Sequence, residues 1–228
     1  MIEEITIQKL YDLSETQAAD IFSGHTYPFE ILPLIGDYIL KKGSSLSMDE
    51  YNLPEENVWI HKSVSVAESA VIKGPCIIEE GTEVRPGAFI RGNAYIGKNC
   101  VVGNSTELKN VILFNNVQVP HYNYVGDSIL GYKSHLGAGA ITSNVKADNK
   151  DVVIRVGFKN IETGRRKVGA FMGDKSDVGC NSVLNPGVVI GRNSNIYPVS
   201  CVRGYVPEDS IYKTGGIIVK KEIYKEQI

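Results

Sequence analysis

A six-residue period runs through most of this chain and restricts what it can fold into. A period of six fits neither the 3.6-residue turn of an α-helix nor the two-residue alternation of a strand. Such strict self-similarity is typical of a repeat fold, in which each unit packs only on its neighbours. Large apolar residues keep this interval over two long stretches: Ile60, Val66, Ile72, Ile78, Val84, Ile90, Ile96, Val102 and Leu108, then Met172, Val178, Leu184, Ile190, Ile196 and Val202.

A small or compact residue follows almost every apolar anchor four positions later, as Ala70 follows Val66 and Ala94 follows Ile90. One large and one small inward residue per hexad suit a triangular prism, in which each hexad forms one face around a narrow interior. The pattern resembles the hexapeptide-repeat family. The resemblance implies an all-β fold, a left-handed parallel β-helix over residues 58–206. The right-handed crossover rule does not oppose this fold, because that rule concerns crossovers within one sheet.

Three segments do not follow the period. Residues 1–57 contain S-x-x-Q from Ser14 to Gln17, which predicts a helix to about Phe22, and a second helix is predicted from Pro28 to Lys42. We therefore expect a short N-terminal helical cap. The period is lost again over residues 144–167, which predicts a basic insertion loop, and residues 207–228 are expected to form a C-terminal tail. The cations of the insertion are Lys146, Lys150, Arg155, Lys159, Arg165, Arg166 and Lys167.

Charge and hydropathy exclude several classes of partner. A formal net charge of −2 and a pI near 6.1 oppose a nucleic-acid-binding surface. Acidic residues near the N-terminus oppose a secretory signal. The longest apolar stretch is interrupted by Glu30, Pro33 and Asp37, so we expect no membrane span and a cytoplasmic protein.

The four cysteines do not form a metal-binding or disulfide pattern. They show no C-x-x-C spacing, and Cys76 and Cys100 occupy the small inward position of the repeat, where a thiol packs as a small apolar group. Packing is therefore the favoured interpretation of these two cysteines.

Reactive side chains are concentrated in the middle of the chain. The motifs are RPGA with Arg85, GNSTELKN with Glu107 and Lys109, VPHYNYVGD with His121 and Tyr124, and LGAGAITSN ending at Asn144. The order of these motifs and their amino-acid sequences resemble the acetyltransferase half of the bifunctional UDP-N-acetylglucosamine pyrophosphorylase and glucosamine-1-phosphate N-acetyltransferase. The later string TGRRKVGAFMGD is similar to the β-helical half of sugar-1-phosphate nucleotidylyltransferases of the archaeal type.

The resemblance implies acetyl transfer from acetyl-CoA to the amine of glucosamine 1-phosphate or a related aminosugar phosphate. An ammonium group has no lone pair, so a base must remove its proton, and histidine suits that task near neutral pH. We predict His121 as this base and Glu107 as the carboxylate that orients its imidazole. A lone histidine is more often structural, and the surrounding motifs are what favour catalysis here.

The resemblance also implies the substrate contacts. Arg85, Lys109 and Lys150 are expected to bind the sugar phosphate, with Tyr124 lining the same site. A solvated surface role competes with this interpretation and is strongest for Lys150, which lies in the insertion. Asn144 matches an asparagine near the acetyl group, although an asparagine before a loop also stabilises turns.

Acetyl-CoA is expected to contact Ala138 and Gly139, where small residues let the backbone approach the ligand. Two positions depart from the family. Cys180 stands where the family has a serine near the thioester, so it is expected to contact acetyl-CoA as well. His135 stands where the family often has asparagine. His135 is therefore predicted to bind substrate, with a role as an alternative base or in sugar preference left open.

The same resemblance implies a homotrimer, with active sites in the clefts between neighbouring prisms. Pyrophosphorylase activity is not expected, because residues 1–57 contain no α/β domain with a glycine-rich phosphate loop. A noncatalytic sugar-nucleotide-binding or scaffold trimer is the main alternative function. A zinc-dependent carbonic anhydrase needs three histidines, and only His121 and His135 lie in the central region, so no metal is expected.

Overall fold

A computed structural model describes residues 1–222 and shows a left-handed parallel β-helix, so the predicted fold class is confirmed. Its strands, numbered in chain order, form three faces that we call A, B and C. Face A contains β2 (Val58–His61), β5 (Cys76–Ile78), β8 (Ala94–Ile96), the second halves of β10 (Glu107–Leu113) and β12 (Tyr124–Leu130), β17 (Ala170–Met172), β20 (Val188–Ile190) and β23 (Tyr205–Val206). Face B contains β3 (Ser65–Val66), β6 (Glu83–Val84), β9 (Val101–Asn104), β11 (Gln118–His121), β13 (His135–Leu136), β18 (Asp177–Val178), β21 (Asn195–Ile196) and β24 (Ser210–Lys213). Face C contains β4 (Val71–Ile72), β7 (Phe89–Ile90), the first halves of β10 and β12, β14 (Ile141–Thr142), β19 (Val183–Leu184) and β22 (Cys201–Val202).

The strand register explains why the period slips near Asn110. In regular coils each strand pairs with the one eighteen residues later, as Val58 pairs with Cys76. In the central coils the interval shortens to seventeen, as Lys109 pairs with Gly126. Here β10 and β12 continue across the corner between faces C and A, and Asn110 turns the chain with a positive φ of 55°.

The interior consists of the residues that the period selected. The apolar anchors of the central coils, such as Ile96, Val102 and Leu108, are fully buried. Cys76 and Cys100 are buried as free thiols, and burial raises the pKa of Cys100 to about 12. Their packing role follows because the reactive thiolate form is disfavoured in this interior.

The N-terminal segment lies along face A. It contains α1 (Ile7–Leu10), α2 (Ile35–Gly43) and 3₁₀ turns at Glu3–Ile5, Leu13–Glu15, Ala19–Phe22 and Pro28–Glu30. Its apolar side chains cover the outward residues of the face, which are buried as a result: Trp59, Ile77, Tyr95, Ile112, Ile129, Phe171 and Val189. The segment also reaches the later coils, because the carbonyl of Leu10 accepts a hydrogen bond from the Asp174 N–H at 3.0 Å. The N-terminal segment therefore covers face A, which is one side of the prism. The free edge of β2 is covered by β1 (Tyr51–Glu55), which pairs with β2 in antiparallel orientation.

The helix predicted from Ser14 to Phe22 is wrong, because two 3₁₀ turns occupy this stretch. Asp12 begins the first turn, since its Oδ1 accepts hydrogen bonds from the N–H of Ser14 at 3.0 Å and from its hydroxyl at 2.7 Å. The second helix begins later than predicted, at Ile35. Pro33 lies in the preceding turn, and proline has no N–H to continue a helix begun at Pro28.

A buried carboxylate links the first coils. Glu79 is 2% exposed and accepts hydrogen bonds from the hydroxyls of Tyr95 at 2.6 Å and Tyr51 at 2.5 Å. Desolvation is the main cause that raises the pKa of both tyrosines, so their hydroxyls stay protonated and available as donors. These two bonds connect β1 to face A.

The insertion and the C-terminal region both add antiparallel hairpins to the solenoid. The insertion leaves the corner between faces C and A after β14 and forms the hairpin β15 (Val153–Val156) and β16 (Lys159–Glu162). The parallel ladder continues beyond Val206, because β24 pairs with β21. The last described strand, β25 (Ile217–Lys220), folds back on β24, and residues 223–228 of the predicted tail lie outside the described residues. No helix within residues 1–222 has both the length and the apolar character needed to cross a bilayer.

Replacing Gly43 with alanine should destabilise the protein by about 1–3 kcal/mol, the usual range for an overpacked core. Gly43 ends α2 and is buried, and an added methyl group would overlap the indole ring of Trp59. Urea denaturation of the full chain measures the change. The Trp59→Phe background is the control, since a smaller ring should remove most of the added cost, and an equal cost in both backgrounds would contradict this explanation.

Candidate active site

The corner between faces B and C brings the predicted base beside the three predicted acetyl-CoA contacts, Ala138, Gly139 and Cys180. The carbonyl of His121 accepts a hydrogen bond from the Gly139 N–H at 3.0 Å, which aligns His121 with Ala138 in the next coil. The carbonyl of Ala138 accepts one from the Asn181 N–H at 2.8 Å, which aligns it with Cys180. His121, Ala138 and Cys180 thus occupy equivalent positions in three successive coils.

The backbone of His121 is fixed by a buried side chain. The His121 N–H donates to Oδ1 of Asn123 at 3.1 Å, and the Asn123 amide donates to the carbonyls of Gly137 and Ala140 at 2.8 and 3.0 Å. Asn123 is 2% exposed. The imidazole itself is exposed and makes no side-chain hydrogen bond within the described chain, so it is free to contact a ligand.

Free backbone donors lie on the same corner. The Gly139 N–H is already used by His121, whereas the N–H groups of Ala138 and Cys180 donate no hydrogen bond among residues 1–222. A Cβ atom at Gly137 would lie 2.7 Å from the Cys180 nitrogen, so glycine is what permits this close spacing of coils. A thioester oxygen or the amide groups of a pantetheine chain fit such unpaired donors.

A buried carboxylate organises the polar cluster at the corner between faces C and A. Asp127 is 3% exposed and turns the chain with a φ of 47°. Its Oδ2 accepts a hydrogen bond from the Asn144 amide at 2.6 Å, and its Oδ1 accepts one from the Asn110 amide at 2.9 Å. The Lys109 ammonium lies 3.3 Å from both oxygens. Lys109 and Asn144 were predicted from the sequence as substrate contacts. Asp127, which holds both of them, was not predicted.

Tyr124 joins the same cluster. Its hydroxyl accepts a hydrogen bond from the Asn144 amide at 3.3 Å, and a Cβ atom at Gly126 would lie only 2.6 Å from that hydroxyl. Gly126 therefore leaves room for the tyrosine side chain. Desolvation, followed by the charge of Asp127, raises the pKa of Tyr124, so its hydroxyl is neutral near pH 7 and can donate to a substrate oxygen.

Two predicted site residues are held by ion pairs. The Glu107 carboxylate accepts a hydrogen bond from Nη1 of Arg91 at 2.6 Å, and no hydrogen bond joins it to His121 within residues 1–222. Arg85 begins the corner between faces B and C, and its Nη2 lies 3.1 Å from Oε2 of Glu83. The orienting role of Glu107 and the phosphate contact of Arg85 stay predictions.

The remaining predicted ligands lie apart from the cluster. His135 is on face B, and its Nδ1 lies 2.9 Å from Oδ1 of Asp177. Lys150 is exposed in the insertion, where its backbone N–H donates to Asp148 at 3.1 Å. In the described residues no hydrogen bond or ion pair joins Lys150 to Lys109 or Asp127.

A metal centre is not apparent in the described part of the chain, because no group of three or more His, Cys, Asp or Glu residues there is arranged to hold an ion. The expectation that activity needs no metal stays a prediction.

Comparison with known proteins shows which sequences this chain resembles. The family described as the GMPPB C-terminal domain matches residues 72–158. The bifunctional sugar-1-phosphate nucleotidylyltransferase/acetyltransferase of Sulfurisphaera tokodaii is 38% identical over 109 residues, which are 48% of this chain and 27% of that protein. The bifunctional protein GlmU of Methanococcus aeolicus is 38% identical over 195 residues, 75% of this chain and 47% of that protein. The chain resembles the hexapeptide-repeat acetyltransferase domain of GlmU.

The likeness to GlmU covers part of each relative, since the chain spans about half or less of the length of these two proteins. Among solved structures, PerB from Caulobacter crescentus, in complex with CoA and GDP-perosamine, has a TM-score of 0.38 and 19% identity, covering 71% of this chain and 56% of that one. That similarity is too distant to bear on the site. The residues matched by the GMPPB C-terminal domain family, 72–158, include every side chain of the polar cluster around Asp127.

Proposed function

We propose that this protein is an acetyl-CoA-dependent N-acetyltransferase that acts on an aminosugar with a phosphate at its anomeric carbon, as in glucosamine 1-phosphate. The observation that carries the proposal is the free imidazole of His121 on the same corner as the unpaired N–H groups of Ala138 and Cys180. The relative from Sulfurisphaera tokodaii, a bifunctional sugar-1-phosphate nucleotidylyltransferase/acetyltransferase, supports the same reaction class. The name of that relative also includes sugar-1-phosphate, which favours a sugar phosphate as the acceptor. The motif resemblance to glucosamine-1-phosphate N-acetyltransferases favours an aminosugar.

Each group on the corner has a role in the proposed reaction. His121 removes a proton from the sugar ammonium, and the free amine then attacks the carbonyl carbon of the thioester. A tetrahedral intermediate forms with its negative oxygen near the N–H groups of Ala138 and Cys180. The carbon–sulfur bond breaks and CoA leaves as a thiolate, which takes the proton held by the imidazolium. The nitrogen loses its second proton to the neutral imidazole and from there to solvent, which leaves the neutral amide, the free thiol and one released proton.

The cluster around Asp127 is proposed to orient the acceptor. The Tyr124 hydroxyl and the Asn144 amide are both partly exposed and can bind sugar hydroxyl groups, while Asp127 fixes the amide. This orientation matters because transfer requires the amine to approach the carbonyl carbon at close range. Lys109 is proposed to contact the acceptor while remaining paired with Asp127.

A homotrimer is proposed because the proposed base and the residues proposed to bind the acceptor lie on opposite sides of face C. His121 and Arg85 lie at the corner with face B, whereas Lys109 and Asn144 lie at the corner with face A. A second copy that places its own corner against face C brings the two kinds of group together. Association of face C or face B also covers prism faces that the N-terminal segment leaves open.

The function is tested by thiol release from acetyl-CoA in the presence of glucosamine 1-phosphate, galactosamine 1-phosphate or nucleotide-linked aminosugars. We expect release that depends on an acceptor with a free amine. N-acetylglucosamine 1-phosphate is the matched control, because its nitrogen is already acylated and should support no release. Absence of release with every aminosugar would overturn the proposal and favour the noncatalytic sugar-binding alternative.

A further inference from the structure

The base of the insertion forms a cleft that the proposed reaction has not used. The cleft has a volume of about 510 Å³ and is lined by Val145, Gly164, Arg165, Arg166 and Lys167. Val145 forms a bridge with Lys167, and the Val168 N–H donates to the carbonyl of Asn144 at 3.0 Å. The cleft therefore adjoins Asn144, whose amide belongs to the cluster around Asp127.

Uncompensated positive charge distinguishes this cleft from the rest of the site. Lys109 is paired with Asp127, Arg91 with Glu107, and Arg85 with Glu83. In contrast, no carboxylate within residues 1–222 forms an ion pair with the three consecutive cations of the cleft, Arg165, Arg166 and Lys167. An anionic ligand is attracted most strongly where positive charge has no partner in the protein.

The hydrogen-bonding capacity of the cleft is also unfilled. Nε of Arg165 is buried and has no acceptor among the described residues. Within residues 1–222 the Arg166 guanidinium donates only to a neutral oxygen, Oδ1 of Asn149, at 3.3 Å. Buried donors without acceptors are rare in folded proteins, so each such group requires an explanation. A ligand with several anionic oxygens supplies acceptors to both guanidinium groups.

The neighbouring negative charges do not neutralise the cleft. Asp148 belongs to the same insertion, and its carboxylate lies 3.3 Å from the Lys146 ammonium. Glu162 is exposed on β16, where it pairs across the hairpin with Val153. The three cations thus remain available to a ligand.

We propose that this cleft binds the diphosphate of a nucleotide-linked aminosugar, with the sugar amine directed over face C towards the corner that carries His121 in the second copy of the proposed homotrimer. The inference rests on the proposed function for the direction in which the acceptor lies. The volume falls within the usual range for small-molecule sites and exceeds what a single phosphate needs. The cleft adjoins the sugar-side cluster at the corner between faces C and A, whereas Ala138 and Cys180 lie at the other corner, so its ligand belongs to the acceptor side.

Direct titration of the full chain tests the proposal without requiring turnover. UDP should bind the wild-type protein, and Arg165→Gln and Arg166→Gln should each weaken binding roughly tenfold, which corresponds to loss of one charge-assisted hydrogen bond. Arg155→Gln is the matched control, because Arg155 is an exposed arginine of the same insertion that does not line the cleft, and its UDP affinity should stay within about twofold of wild type. Circular dichroism verifies that each variant is folded, and Arg166 provides a second, more exposed position if Arg165→Gln unfolds.

Further ligands distinguish the sources of the phosphate. CoA and 3′-dephospho-CoA should bind the variants as they bind wild type. If the variants instead lose affinity for CoA but not for 3′-dephospho-CoA, the cleft holds the 3′-phosphate of the donor and the proposal is overturned. Equal binding of UDP and inorganic phosphate by the wild-type protein would overturn the diphosphate assignment. If both variants bind UDP as tightly as the wild type, the cleft is not the diphosphate site. The thiol-release assay decides separately whether the protein transfers an acetyl group.

Discussion

Replacing His121 with alanine should lower kcat by about 10²- to 10⁴-fold, the usual contribution of a positioned general base. Without the imidazole, no group on the corner between faces B and C removes the proton of the sugar ammonium. Stability should change little, because the side chain is exposed and the Asn123 amide still holds the backbone at this position. Thiol release at saturating acetyl-CoA and aminosugar measures the loss.

The matched control is His25→Ala, which removes a histidine from the N-terminal segment, where its Nδ1 lies 3.9 Å from Oε2 of Glu30. Its kcat should equal that of the wild type. Affinity for CoA, measured by titration, should remain within about twofold in His121→Ala, because the proposed donor contacts are the backbone groups of Ala138 and Cys180. Full turnover in His121→Ala would exclude this histidine as the base and leave His135 as the alternative base to test.

The interior of the prism was predictable because inward positions obey a strict geometric rule. Successive residues of a strand point to opposite sides, and three strands close each coil, so an inward residue such as Ile96 or Val102 recurs every six positions. The same rule placed Cys76 and Cys100 inside. No tertiary information was needed, because each coil packs only on the next.

The covered flank could have been read from the sequence but was missed. Outward positions on face A are large and apolar at intervals of eighteen in regular coils, as in Trp59, Ile77 and Tyr95, whereas the corresponding positions on face B include Glu83 and Gln118. This asymmetry indicates that one face is buried. What covers it was less predictable, because the capping pattern at Ser14 predicted a helix and contacts with face A selected 3₁₀ turns instead.

The sequence motifs named the candidate site residues, but they did not specify the partners of these side chains. Glu107 was expected beside His121, yet it pairs with Arg91, sixteen residues earlier on the adjacent coil. Which partner a long side chain contacts depends on the spacing of coils, which the sequence does not specify. Asp127 was missed because it looked like an ordinary turn residue after Gly126, although its positive φ and three donors make it the centre of the cluster.

Replacing Asp127 with asparagine should destabilise the protein by about 2–3 kcal/mol and raise the KM for the aminosugar about tenfold. Asparagine tolerates the positive φ at this corner, so the backbone is not the cause. The cause is that amides of Asn110 and Asn144 both donate to the carboxylate, and an asparagine offers only one oxygen. One amide then faces another donor, and Lys109 loses its counter-charge. Urea denaturation and steady-state kinetics with varied aminosugar measure the two effects.

Asp209→Asn provides a matched control for this substitution. Asp209 also turns a corner with positive φ, 54°, and its Oδ1 accepts a hydrogen bond from the Asn193 amide at 2.7 Å. It is partly exposed and receives a single amide donor, so the same change should cost less than about 1 kcal/mol and leave the KM unaltered. The KM for acetyl-CoA should stay constant in Asp127→Asn, because the donor side lies on the other corner. An equal loss of stability in the two variants would show that a buried carboxylate with converging donors is not what holds the acceptor side together.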